Sequence, residues 1–171
     1  MKWLDDWAYF LDIDGTLVDF ADTPSGVTLD RQLRCLVERL YVSSHGALAL
    51  ITGRTIADVD RLFPGRHLPV AGHHGHSCRL ANGRRSQHPG PTRTLDGARR
   101  ALATVTARHP QLLVEDKGLS IGLHYRRAPR LASYAGRVMR RLVTVLDGRY
   151  ALQRGKRVIE LVPAGRDKGV S

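Results

Sequence analysis

The chain has 171 residues, 42% of them hydrophobic and 25% charged, with 27 Lys and Arg against 16 Asp and Glu. That length bounds it to one domain with room for a small second one, and the apolar fraction belongs to a globular chain rather than a disordered one. Two distant cysteines, Cys35 and Cys78, exclude a disulfide scaffold and fit a reducing, cytoplasmic setting; no run is apolar enough to span a membrane, and the opening Met-Lys-Trp-Leu-Asp-Asp has no apolar export core.

The positive charge is unevenly placed. Residues 78–160 hold 18 Lys and Arg against 5 Asp and Glu. Such a field attracts anions. No stacking-aromatic array, zinc module or helix-turn-helix signature accompanies it, so a nucleic-acid partner is not expected. Most of these arginines read as solvated surface.

Residues 8–13 read as a buried strand. Leu29, Leu33, Leu36, Val37 and Leu40 recur at helical spacing, with Asp30 near the helix start. Residues 47–51 form a second apolar run, residues 55–62 a short helix with Ile56, Val59 and Leu62 on one face, and residues 69–71 a third strand. This alternation implies a parallel sheet with right-handed crossovers. The pattern then changes. A hairpin is expected from Ser77, turning at Asn82-Gly83 in type I′ geometry. A helix follows over 95–108, with Leu95, Ala98, Leu102 and Val105 inward. Residues 112–117 and 120–125 pair around Gly118, residues 131–146 form another helix, and residues 150–154 and 158–161 pair around Gly155-Lys156. The second pattern reads as an inserted α+β module over 78–162, leaving 1–77 and 163–171 to the first domain.

The chemistry concentrates in Tyr9-Phe10-Leu11-Asp12-Ile13-Asp14-Gly15-Thr16-Leu17. Alternate residues of a strand share a face, so Asp12 and Asp14 start together at the strand's carboxyl end, where open α/β sheets bind ligands. Paired carboxylates call for a cation or a shared proton, and suit a metal-assisted nucleophile with a general acid beside it. Thr52, in Ile51-Thr52-Gly53-Arg54, is placed to donate its hydroxyl to a phosphoryl oxygen, to cap the helix over 55–62, or to do both. Lys168, in Arg166-Asp167-Lys168-Gly169, would neutralise phosphate charge at a helix start. Glu115 and Lys117 share a strand face and Glu160 follows a turn. Each of these three is open to a cross-strand ion pair or to a role in binding. His73, His74 and His76 lack the partners of a zinc site and suit substrate or lid contact. His124 and Arg126 read as structural.

With Asp12, Asp14, Thr52 and Lys168 in that order, the chain resembles the haloacid dehalogenase superfamily. The resemblance implies an α/β Rossmannoid core with a parallel sheet, here incomplete, and an inserted α+β cap. It implies that Asp12 attacks phosphorus to form an aspartyl-phosphate, and that Asp14 serves as general acid and base. Mg²⁺ would be held by Asp12 and by the backbone carbonyl of Asp14. More narrowly, residues 10–17, 49–54, 71–75, 115–118 and 123–126, with Ala128-Pro129, Gly155-Lys156 and Val158-Ile159-Glu160, resemble the trehalose-6-phosphate phosphatase family. The implied activity is hydrolysis of trehalose 6-phosphate, the last step of trehalose biosynthesis. The implied substrate contacts are Arg54, His74, Glu115, Lys117, Lys156 and Glu160. Other sugar phosphates (of sucrose or mannose) and a non-catalytic sugar-phosphate-binding module are the alternatives. The family's fourth, acidic motif is not seen before Ser171. A weakened metal site, poor activity and an exposed apolar edge on the Asp12 strand are therefore expected.

Overall fold

The computed structural model describes residues 7–19, 26–87 and 92–165. The chain divides into two compact units, Met1–His88 with Arg166–Ser171, and Pro89–Gly165.

In the first unit, strands β1 (Tyr9–Asp12), β2 (Leu48–Ile51) and β3 (Val70–Gly72) are parallel, and β4 (Ser77–Arg79) and β5 (Arg85–Gln87) extend the sheet antiparallel, in the order β1-β2-β3-β4-β5. Asp12 stands level with Ile51, and Ile51 with Ala71. The carboxyl ends of all three parallel strands therefore finish at one height. Helices α1 (Arg31–Ser43) and α2 (Ile56–Leu62) supply the crossovers. Asp30 caps α1 by accepting from Gln32 N, while Thr55 and Asp58 form a reciprocal capping box on α2. Ile13, Val37, Leu48, Leu50, Val59, Leu62, Phe63, Leu68 and Val70 pack into one core cluster.

Three sequence expectations change here. Leu36 was expected inward but is 59% exposed. Leu33, Val37 and Leu40 define the inward stripe of α1, and Leu36 lies about 100° away from Val37 around the helix. The hairpin from Ser77 belongs to the first sheet and not to the inserted module, because Ser77, Cys78 and Arg79 pair with Gly72, Ala71 and Val70. Its turn is not type I′ either. Gly83 has φ 79° while Asn82 keeps a negative φ, and the loop closes by Gly83 N donating to Leu80 O. The Asn82 side chain is occupied in accepting from Arg84 N. This is the three-residue loop with a left-handed glycine. β1 is an edge strand among the described residues, and Phe10 on it is 70% exposed.

In the second unit, β6 (Leu113–Asp116), β7 (Ile121–His124), β8 (Tyr150–Gly155) and β9 (Val158–Pro163) form an antiparallel sheet in the order β6-β7-β9-β8. Helices α3 (Asp96–Arg108) and α4 (Ala132–Val145) pack on one face. Leu95, Ala98, Leu102, Ile121, Leu123, Ala135, Met139, Ile159 and Leu161 share the core between helices and sheet. Arg99 ties α3 to the β6–β7 turn, donating to Asp116 from Nε at 2.7 Å and to Gly118 O from Nη2 at 3.2 Å. Those Arg99 bonds, assisted by Gly118 N, hold the Asp116 carboxyl below its ordinary value despite its partial burial.

The first unit contains an ion pair between a buried arginine and a half-buried aspartate that no motif announces. Arg79 on β4 is 3% exposed, and donates to Leu68 O at 3.0 Å and to Asp60 Oδ2 of α2 at 3.0 Å. Its Nη2 lies 2.7 Å from Asp60 Oδ1 as a charge contact out of hydrogen-bond alignment. Burial acts to raise the Asp60 carboxyl, but the bond and charge of Arg79, with help from His67, outweigh it and keep the group below the usual carboxylate range. Because the folded state depresses this carboxyl, its stabilisation is complete above the unfolded value of about 3.9 and is lost as pH falls through the lower folded value. Asp60→Asn should therefore lower the urea midpoint at pH 7 and flatten its decline below pH about 4. Arg79→Met leaves Leu68 O without its donor and Asp60 with only the exposed His67 and Arg85 beside it, and should cost about 1–3 kcal/mol in the same measurement at pH 7.

Candidate active site

The level strand ends of the first unit gather the predicted residues. Asp12 ends β1, and the chain then turns through Gly15, whose φ is 87°. Leu17 and Val18 donate their N–H groups back to Ile13 O, and Gly15 N donates to Val18 O, which ties the Asp14 loop closed. Thr52 follows β2 and is 1% exposed. Its hydroxyl accepts from Arg54 N at 3.1 Å. Thr55, not Thr52, caps α2. Of the two roles open to Thr52 in the sequence, the helix cap is thereby removed. Arg54 grips Asp14 with two bonds, Nε to Oδ2 at 2.9 Å and Nη2 to Oδ1 at 2.6 Å. Expected as a substrate contact, Arg54 here orients the second aspartate. Its side chain is 12% exposed and that of Asp14 30%, so water screens the pair only in part.

The segments after β2 and β3 are stitched together. His73 N donates to Arg54 O at 2.9 Å, and His74 N to Thr52 O at 3.2 Å. His73 and His74 both hold left-handed backbone, φ 51° and 54°, and both are 8% exposed. Such conformations are costly for non-glycine residues and persist only where surroundings enforce them. Two glycines make the arrangement possible. A Cβ on Gly53 would stand 2.5 Å from the His74 ring, and a Cβ on Gly72 would stand 2.8 Å from Arg54 O. Ser77 Oγ lies 3.4 Å from His73 Nδ1. Lys168 lies outside the described residues.

The second unit carries a polar cluster on the sheet face opposite its helices. Register places Glu115 level with Gly122, and Gly122 level with Glu160. Glu160 is 6% exposed, and its Oε1 accepts from Lys117 Nζ at 3.0 Å and Ser120 Oγ at 2.8 Å. Glu115 Oε2 lies 2.9 Å from His124 Nε2 and 3.6 Å from Lys117 Nζ. One ammonium thus bridges two carboxylates. Gly122 leaves the centre of this face open, since its Cβ would come within 3.5 Å of His124 Nε2 and 3.8 Å of Glu115 Oε2. Lys156 is exposed at the β8–β9 turn, where its carbonyl accepts from Arg126 Nη2 at 3.2 Å. Ser120 and the Glu115–His124 bond were not anticipated as parts of a site. The alternation of His124 with buried Leu123 was the one signal available for the latter.

A family model described as Trehalose-phosphatase matches residues 10–170. The chain belongs to the trehalose-phosphatase family. It is 38% identical over 166 residues to a Sinorhizobium fredii protein named "Probable trehalose-phosphate phosphatase", covering 97% of this chain and 62% of that one. It is 35% identical over 163 residues to an Escherichia coli trehalose-6-phosphate phosphatase, covering 95% and 61%. The chain thus spans about three-fifths of the length of these curated relatives. In fold it is similar to the C-terminal domain of Candida albicans trehalose-6-phosphate phosphatase, with TM-score 0.84 and 20% identity over 95% of this chain and 59% of that one. A phosphatase of the haloalkanoate (HAD) superfamily from Bacteroides thetaiotaomicron matches with TM-score 0.53 and 16% identity, over 95% and 69%. The fold is therefore a HAD-like α/β core with an α+β module inserted in it.

Gly72→Ala should shift Arg54 O and with it the Thr52 segment. Overpacking against backbone predicts a loss of about 1–3 kcal/mol, read as a lower urea midpoint. Gly53→Ala should be similarly damaging, because the ring it meets belongs to a buried residue whose backbone is itself held in a left-handed conformation. Lys117→Met should cost about 3 kcal/mol at pH 7, since it leaves Glu160 buried without its ammonium.

Proposed function

We propose that this chain carries the catalytic core and the sugar-recognition module of a phosphatase acting on trehalose 6-phosphate. The carrying observation is the convergence of Asp12, Asp14 and Thr52 at level strand ends, in a chain matched almost end to end by the trehalose-phosphatase family. Asp12, at the end of a rigid strand, is the nucleophile. Its carboxylate attacks phosphorus, the sugar alkoxide leaves, and an aspartyl-phosphate forms. Asp14 delivers the proton to the leaving oxygen, then takes one from the water that hydrolyses the acyl phosphate. Both Asp14 oxygens are engaged by Arg54, so each transfer requires one of those bonds to open. Arg54 thereby sets the direction from which the carboxyl meets the leaving oxygen. The buried Thr52 hydroxyl, already accepting from Arg54 N, keeps its own proton to donate to a phosphoryl oxygen. Lys168 would add positive charge to the phosphate.

The Asp12 carboxylate and the Asp14 carbonyl are oxygen donors, the kind that suits Mg²⁺, which takes one or two carboxylates and completes its shell with phosphate and water. When bound, the ion supplies charge neutralisation of the phosphate. Glu115, Lys117 and Glu160 are held by one another in fixed positions on the open sheet face. Carboxylates oriented in this way accept hydroxyl protons directionally, which suits a disaccharide. His74, Lys156 and Arg54 complete the proposed contact set. The setting proposed is cytoplasmic, and the partner is a small sugar phosphate.

The test is phosphate release from trehalose 6-phosphate, sucrose 6-phosphate and mannose 6-phosphate with added Mg²⁺. Trehalose 6-phosphate should give the highest kcat/KM, and preference for another sugar overturns the substrate assignment. Asp12→Asn should lower kcat by about a thousand-fold or more; retained turnover overturns the nucleophile. Glu115→Gln should act mainly on KM, with a loss of about 1–3 kcal/mol in transition-state binding.

A further inference from the structure

The second unit holds a cavity of about 390 Å³ lined by Tyr125, Ser133, Gly136, Arg137, Arg140 and Arg154, with Ala132 at its margin. It lies away from the Glu115–Lys117–Glu160 cluster. Arg154 pairs in register with Ile159, a core residue under the helices, whereas Glu160 pairs with Gln153 on the opposite face. Ser133, Gly136, Arg137 and Arg140 stand at helical spacing of three and four along α4, so they form one wall. Tyr125, packed against the core on one side, supplies an aromatic wall on the other.

The three arginines are exposed, and three features set them apart from scattered surface arginines. No carboxylate lines the cavity. None of Arg137, Arg140 and Arg154 makes an ion pair or a side-chain hydrogen bond among the described residues. Three like charges gathered without a counter-charge repel one another, and Arg137 and Arg140 do so as helix neighbours. Gly136 is the third feature. In a helix interior it is about 1 kcal/mol less favourable than alanine, and its conformation does not demand glycine, since its φ is not positive. A Cβ there would stand 3.4 Å from Arg140 Nη1 and 3.7 Å from Ile159 Cδ1. The missing side chain keeps the cavity floor open beneath the Arg140 guanidinium.

We propose that this cavity binds a multiply charged phosphorylated small molecule. Guanidinium forks match phosphate oxygens two at a time, and three of them suit an oligophosphate or a phosphate ester of high charge. The volume lies within the range of small-molecule sites, which leaves room for an organic part against Tyr125. The site is concave and has one aromatic wall, unlike the extended basic track with successive stacking rings that single-stranded nucleic acid requires.

The experiment is a titration of the ¹⁵N-labelled chain, at physiological salt, with inorganic triphosphate in one arm and adenosine diphosphate in the other. Saturable amide shifts at Tyr125, residues 132–140 and Arg154 are expected. Tighter binding of the nucleotide identifies an organic phosphate, and tighter binding of triphosphate a bare oligophosphate; either supports the site. The triple variant R137Q/R140Q/R154Q should weaken binding about ten-fold or more, and R137K/R140K/R154K should keep part of the affinity. R100Q/R108Q/R149Q removes the same charge elsewhere in the unit and should leave affinity within about two-fold. Equal loss in the two glutamine triples overturns the proposal, as do shifts confined to residues 12–16 and 52–54, or no saturation with either probe. A single-stranded 20-mer DNA is the last control. If it binds more tightly than both probes and is lost in R137Q/R140Q/R154Q, the surface is a nucleic-acid site and the proposal fails.

Discussion

The parallel register of β1, β2 and β3 is the constraint on which the candidate site depends. Each strand is short, and each ends one or two residues before a functional side chain. Because Asp12, Ile51 and Ala71 stand level, residues from three distant stretches of chain meet in one place. A one-residue slip would turn Asp12 and Asp14 to the other face of the sheet. The register is secured from below by the buried Ile13, Leu48, Leu50 and Val70, which admit no exchange of faces. Above the strand ends, the bonds from His73 N and His74 N to the segment after β2 take over the same task. Gly53 and Gly72 are the gaps that let those segments approach.

The second unit solves a different problem with a two-faced sheet. Its helix side is apolar and continuous, with Leu102, Ile121, Leu123, Met139, Ile159 and Leu161 nearly or fully excluded from water. Its other side carries carboxylates that are deeply placed but never alone. A buried carboxylate without a partner is strongly disfavoured, and Glu160 has Lys117 and Ser120. Holding two glutamates with one ammonium leaves the face rich in acceptor oxygens at fixed positions. The arrangement is not there for stability alone, because a well-packed apolar face of the same volume is often at least as stable, and on the proposed reading it serves the recognition of hydroxyls.

Much of this was readable in advance. The strand into Asp12, the spacing of Asp14, the strand into Thr52, and the α-β-β repetition of the second unit all depend on local pattern, and they stand where expected. Errors fell where two local signals competed. Thr52 and Thr55 are both credible caps, and the winner was the one with Asp58 three residues on, because a reciprocal box satisfies two backbone donors rather than one. Leu36 and Val37 are both apolar, and only the packing partner chose between them. Asn82-Gly83 announced a turn, but its type followed from how Leu80 and Arg84 met. The Asp60–Arg79 pair left no trace in the sequence, being one aspartate among helix polar residues and one arginine among many.

Taken alone, the sequence determined the order of the candidate reactive groups, the family, and the alternation that makes one unit α/β and the other α+β. Those are properties of near neighbours along the chain, where backbone sterics and side-chain periodicity act directly. Tertiary structure decided which charges meet. It gave Arg54 to Asp14 across 40 residues, Lys117 to Glu160 across 43, and Arg79 to Asp60 across 19. It also left Arg137, Arg140 and Arg154 around a common cavity. Composition places 18 basic residues between positions 78 and 160 without ranking them. Only burial and the exclusion of water separate an arginine that fixes a carboxylate from one that faces an open cavity, because the strength of every such interaction is set by the medium the fold creates around it.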